Sequence, residues 1–135
     1  MNSREQKVNE FREAGGKKNF KDCPEDAEMI MDCIFEEFME FNDAAFEYEQ
    51  AIDNGTAWAN PELLTELRSQ LVKEWADLQY VVSQGAVYYE IPADESFNRV
   101  HDSNMTKVVD GKVLYREDGK ILKPDTYQAP DMKGL

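Results

Sequence analysis

One hundred and thirty-five residues carry 28 acids against 15 bases, a formal charge of −13 that argues against a nucleic-acid backbone or an anionic membrane as partner. With 41% apolar and 11% aromatic residues, the chain is too hydrophobic for disorder and reads as one domain over 1–135. No apolar run reaches membrane-spanning length, the amino terminus has no signal-peptide core, and Cys23 and Cys33 accompany a single histidine. A cytoplasmic protein without a zinc site or a disulfide framework is therefore expected.

Residues 3–14 read as a short helix with Val8 and Phe11 facing inward, ended by Gly15-Gly16. Lys17, Lys18 and Lys21 follow with Phe20 in a basic loop, a solvated turn or a contact for an anion. A second helix is expected from Pro24, a residue suited to a first helical position, to the Asn54-Gly55 stop. Its apolar positions are Ala27, Ile30, Ile34, Phe38, Phe41, Ala45, Tyr48 and Ile52, spaced by three or four. Such a rod is roughly 45 Å long, more than a domain of this size covers, and its overhang points to a dimer interface. Asn60-Pro61 is an N-cap and first-turn signal for a third helix running to about Tyr89, with the stripe Leu64, Leu67, Leu71, Trp75, Leu78 and Val82. A fourth is expected from a capping Asp94 to about Met105, packed through Phe97 and Val100, with His101 and Asn104 on or beside the inward stripe. Lys112–Arg116 and Lys120–Lys123 then read as two short strands about an Asp118-Gly119 turn, followed by an extended tail from Pro124. The expected fold is all-α: a bundle of about four helices over about 3–106, with a short C-terminal β-hairpin and tail over 107–135.

The chemistry concentrates in an echo between the two long helices. Ile34–Phe41 aligns with Leu71–Leu78, which sets Glu37 against Glu74 and Glu40 against Asp77, while Glu36 falls opposite Lys73. At about 100° per residue, Glu37 and Glu40 sit about 60° and 120° from Ile34, and Glu74 and Asp77 repeat those angles from Leu71. Two helices packed on such stripes bring four carboxylates to one border of the core. Acids at this spacing are also ordinary on a solvated helix. However, Asp22 to Glu66 holds fourteen acids and no Lys or Arg, so no ion pair within that segment neutralises them. Hard divalent cations with oxygen ligands, Mg²⁺ or Mn²⁺, are the natural answer to that much like charge.

Glu-Glu-x-x-Glu at 36–40 with Glu-x-x-Asp at 74–77 resembles the signature of the all-α nucleoside triphosphate pyrophosphohydrolases, a group that includes MazG, dimeric dUTPases and phosphoribosyl-ATP pyrophosphohydrolases. Phe97–Lys107 and Tyr115–Lys123 resemble the carboxy-terminal segment of MazG-like and phosphoribosyl-ATP-pyrophosphohydrolase-like members. The 33 residues between Glu40 and Glu74 are a longer gap than the usual pattern. The resemblance implies Mg²⁺-dependent hydrolysis of a nucleoside triphosphate between its α and β phosphates, and the uncovered length of the second helix implies a homodimer or homotetramer. It assigns Glu37, Glu40, Glu74 and Asp77 as metal ligands, Glu36 as the residue that binds or activates water, and Asn104 and Lys107 as nucleotide contacts. Arg116, Lys120 and Lys123 are further candidates for the phosphates. Phe11, Phe20, Trp58 and Trp75 are candidates for base stacking. A general or deoxynucleotide-preferring activity is the first expectation, dUTP or dCTP specificity the next, and phosphoribosyl-ATP a further alternative. A non-catalytic metal- or nucleotide-binding helical oligomer is the rival outside enzymology.

Overall fold

The computed structural model describes residues 3–135 and shows five α-helices among them: α1 (Arg4–Ala14), α2 (Ala27–Asp53), α3 (Thr56–Ala59), α4 (Pro61–Tyr88) and α5 (Ala93–Met105). A 3₁₀ turn, Pro24–Asp26, leads into α2, so Pro24 opens this turn and the α-helix proper starts three residues later. The chain forms two compact units, one ending at Glu90 and the other running Ile91–Leu135. No helix among the described residues is long and apolar enough to cross a membrane.

In the first unit, a capping box starts α1: Ser3 Oγ accepts from the Gln6 N–H at 3.2 Å and Gln6 Oε1 accepts from the Ser3 N–H at 2.9 Å. Val8 is buried as expected, but Phe11 is exposed and its neighbour Arg12 is buried instead. Arg12 Nη2 donates to the Lys18 carbonyl at 2.6 Å and the guanidinium lies 5.6 Å from the Tyr88 ring centre, so a cation ties the basic loop to the end of α4.

The long helices form an antiparallel hairpin. Asn54 Oδ1 accepts from the Thr56 N–H at 3.0 Å, Gly55 takes a left-handed φ of 78°, and Asn60 Oδ1 caps α4 by accepting from the Leu63 N–H at 3.2 Å. Gly85 lets the helices approach closely, since a Cβ there would stand 3.3 Å from Ile34 Cδ1. The buried small residues Ala44 and Ala51 line the inward face of α2. These small side chains set the line of closest contact, and it does not run where the mean apolar direction puts it. Glu37 and Glu74 face inward, whereas Phe38 and Trp75, expected on the stripe, are 49% and 51% exposed. Periodicity locates the average of the large apolar side chains; close approach of backbones is decided by the small ones.

In the second unit, α5 begins at Ala93 directly after Pro92. Asp94 lies within its first turn and makes no cap. Phe97, Val100, His101 and Asn104 are exposed and Ser103 is the buried position, a rotation of the expected inward face. The cause is polar docking of the tail. Ser103 Oγ donates to the Gln128 carbonyl at 2.7 Å, Thr106 Oγ1 accepts from the Gln128 N–H at 2.9 Å, and Arg99 Nη1 donates to the Asp131 carbonyl at 3.0 Å. The expected β-hairpin does not form. Residues 112–123 make only isolated bridges, Val109 with Lys112 and Tyr115 with Ile121. Gly119 turns the chain with a φ of 84°, but Asp118 draws the Arg116 guanidinium and the Lys120 N–H to its own carboxylate. Pro124 has no N–H with which to extend the pairing beyond Leu122 and Leu114.

Candidate metal centre

Glu37 on α2 and Glu74 and Asp77 on α4 each offer a carboxylate oxygen, and these three oxygens lie within 4.8 Å of one another. The hairpin creates the arrangement: Glu37 and Glu74 occupy the seam between the helices, and Asp77, one turn beyond Glu74, stands beside them. Glu74 is only 5% exposed. Its Oε1 accepts from Gln70 Nε2 and lies 3.4 Å from Lys73 Nζ, while its Oε2 and the Oε2 of Glu37 are buried with no hydrogen-bond partner in the protein. Two orphaned anionic oxygens in a seam are costly unless something cationic meets them. All-oxygen ligands from hard carboxylates suit Mg²⁺ or Mn²⁺.

Glu40 is exposed at the rim of this cluster. The charge of Glu37, with hydrogen bonding to Glu74 and the Glu74 charge behind it, raises its carboxyl above the ordinary glutamate value of 4.5. A raised carboxyl means that the folded protein binds a proton more readily than the unfolded chain. Metal-free protein should therefore gain stability as pH falls from neutral towards 4.5, and the gain from Glu40 should be complete below that value. Urea denaturation in a chelator at stepped pH, compared with Glu40→Gln, measures it. The variant should lose this part of the pH dependence.

Glu36 is exposed, on the solvent side of α2. Asn104, Lys107, Arg116 and Lys120 all belong to the second unit. There Lys107 Nζ donates to Asn104 Oδ1 at 3.0 Å and lies 5.4 Å from the Tyr127 ring, and Arg116 pairs with Asp118 at 2.5 Å. Lys120 uses its backbone N–H on the same aspartate, at 3.0 Å, and Lys123 Nζ lies 4.9 Å from the Tyr127 ring. All four aromatic candidates are exposed; Phe20 packs against Tyr88 and Tyr89, and Phe11 meets Tyr80 edge-on. Both thiols are held protonated: hydrogen bonding to Glu25 helps push Cys23 up to about 11, and burial followed by the Glu36 charge raises Cys33.

Sequence reasoning missed Lys73. Its ammonium sits 2.7 Å from Asp77 Oδ2 and 3.4 Å from Glu74 Oε1, and those two carboxylates raise it to about 12, with the Asp77 hydrogen bond the largest cause. The signal was available in the four-residue spacing of Lys73 and Asp77, which puts them on one helical face. Gln70, four residues before Glu74, was legible in the same way.

No curated protein matches the chain. The family model for phosphoribosyl-ATP pyrophosphohydrolase matches residues 6–104, from α1 through the carboxylate cluster to the last turn of α5. That span covers both acidic motifs and most of the helical chain. The protein belongs to the phosphoribosyl-ATP pyrophosphohydrolase family, whose activity is hydrolysis of a phosphoric anhydride.

Proposed function

We propose that this protein is a Mg²⁺-dependent pyrophosphohydrolase that cleaves a nucleoside or deoxynucleoside triphosphate between the α and β phosphates, releasing the monophosphate and pyrophosphate. The observation that carries this reading is the pair of buried, unpartnered oxygens on Glu37 and Glu74, with Asp77 in reach of both. Glu37, Glu40, Glu74 and Asp77 would hold the cation, with Mn²⁺ as a substitute. The cation supplies neutralisation of the triphosphate and a lowered pKa for the attacking water.

Glu36, exposed and next in sequence to Glu37, is assigned to hold and deprotonate that water. Asn104, Lys107, Arg116 and Lys120 are assigned to the nucleotide and its phosphates, which need positive charge that the acidic helices lack. Exposed Phe35, Phe38, Val72 and Trp75 on α2 and α4 support a homodimer or homotetramer in which these faces are covered. The cytoplasm, where nucleoside triphosphates are found, is the proposed location. A second reading, phosphoribosyl-ATP as substrate, has the family match in its favour.

A pyrophosphate-release assay with Mg²⁺ against the common NTPs and dNTPs, dUTP and phosphoribosyl-ATP separates these readings. Monophosphate and pyrophosphate from several triphosphates is the expected result. Turnover of phosphoribosyl-ATP alone would select the second reading. Release of orthophosphate in place of pyrophosphate would refute both.

A further inference from the structure

The acid cluster already contains a cation of its own. Lys73 Nζ holds Asp77 Oδ2 at 2.7 Å and Glu74 Oε1 at 3.4 Å. Its position in the echo is taken on α2 by Glu36, so the neutralising charge comes from one helix only. The Lys73 side chain is 61% exposed while that of Glu74 is 6% exposed. The acid is fixed in the seam, and the lysine reaches it from solvent on a flexible four-carbon stem.

A divalent ion bound at about 2.1 Å to the unpartnered Glu74 Oε2 and to Asp77 would meet the same two carboxylates whose Oε1 and Oδ2 the ammonium already holds. Two cations would then stand within a few ångströms of each other, and the repulsion falls on the mobile partner. We infer that Lys73 is a displaceable counter-cation: it neutralises Glu74 and Asp77 in the metal-free protein and swings into solvent when a divalent ion takes its place. The inference rests on the metal reading of the cluster given above. It makes metal affinity a difference between two cations competing for the charge of the same two carboxylates, rather than the full attraction of bare ones. Lys73 thereby stabilises the metal-free protein at the expense of tight metal binding.

The test is calorimetric titration of the full chain with Mn²⁺ alone, with no nucleotide present, together with thermal melting in chelator. Lys73→Met should bind Mn²⁺ about two- to fivefold more tightly than the unmodified protein, the range in which exposed ion pairs fall. It should also melt at a lower temperature in chelator. Lys73→Arg, which keeps the charge and the reach, should bind as weakly as the unmodified protein. Lys17→Met, which removes one positive charge from the exposed loop after α1, should leave the affinity unchanged.

Equal affinity in the unmodified protein and Lys73→Met would overturn the exchange while leaving the metal centre standing. So would tightening in Lys17→Met or Lys73→Arg to the same degree. Absence of Mn²⁺ binding in the unmodified protein would instead overturn the metal reading itself.

Discussion

Replacing Glu37 by Gln should lower Mg²⁺-dependent kcat/KM by at least about a hundredfold and, in chelator, raise the stability of the fold. The two effects have one cause. Glu37 brings an orphaned anionic oxygen into the seam beside Glu74, and its charge is the largest influence raising the Glu40 carboxyl. Gln keeps the shape and hydrogen-bonding capacity of the side chain and removes the charge. Relief of that repulsion should raise the Tm in chelator. Added Mg²⁺ should stabilise the unmodified protein by linkage and Glu37→Gln much less. Steady-state kinetics and melting with and without Mg²⁺ provide both halves of the measurement. Turnover near that of the unmodified protein would remove Glu37 from the metal centre, and a large loss of stability would make it a structural acid.

Tyr88→Ala should cost about 3–5 kcal/mol of folding stability, the largest loss expected from a single substitution here. Tyr88 ends α4 and is fully buried. Its hydroxyl donates to the Cys23 carbonyl at 2.7 Å, its own carbonyl accepts from the Phe20 N–H at 2.9 Å, and its ring meets Phe20 edge-on with centroids 5.9 Å apart. Arg12 stacks above it. The connection between α1 and α2, which has little regular structure, is thus fastened to the end of α4, with Tyr88 at the centre. Small domains have about 5–15 kcal/mol in all, so Tyr88→Ala removes a large fraction. Tyr88→Phe should cost only about 1 kcal/mol, leaving the ring in place and the Cys23 carbonyl short of a donor. Urea denaturation of both variants checks the ratio. Equal losses would assign the effect to the hydroxyl and not to the ring.

The helical plan was legible because its signals are local. Gly15, Asn54-Gly55 and Asn60-Pro61 start and stop helices through their own side chains and backbone freedom, and each stands at a helix end in the structure. The acid echo was legible for a similar reason, since i and i+3 fix direction on a helix before any packing is known. The orientation of the helix faces was not. Phe38, Trp75, Phe11 and Phe97 are large enough to dominate a periodicity, yet they lie outside the contact lines that Ala44, Gly85 and Ser103 occupy. Glu37 and Glu74 consequently stand deeper than the border position expected for them. The β-hairpin failed where alternating residues and an Asp-Gly turn were read as pairing, because Asp118 satisfies Arg116 and Lys120 locally. Lys73 was overlooked because it broke the symmetry of the echo, which is also what lets it act within it.

The hairpin of α2 and α4 places Glu37, Glu74 and Asp77 on two elements joined only by residues 54–60. Closing so short a connection carries a small entropic cost, and contacts between neighbouring elements form early in folding. The carboxylates, about four helical turns from that connection, confront one another as the hairpin closes along its length. Their repulsion opposes that closure, and a divalent ion bound there would relieve it. If the cluster takes the proposed ion, free Mg²⁺ should consequently act on the speed at which the chain reaches its fold.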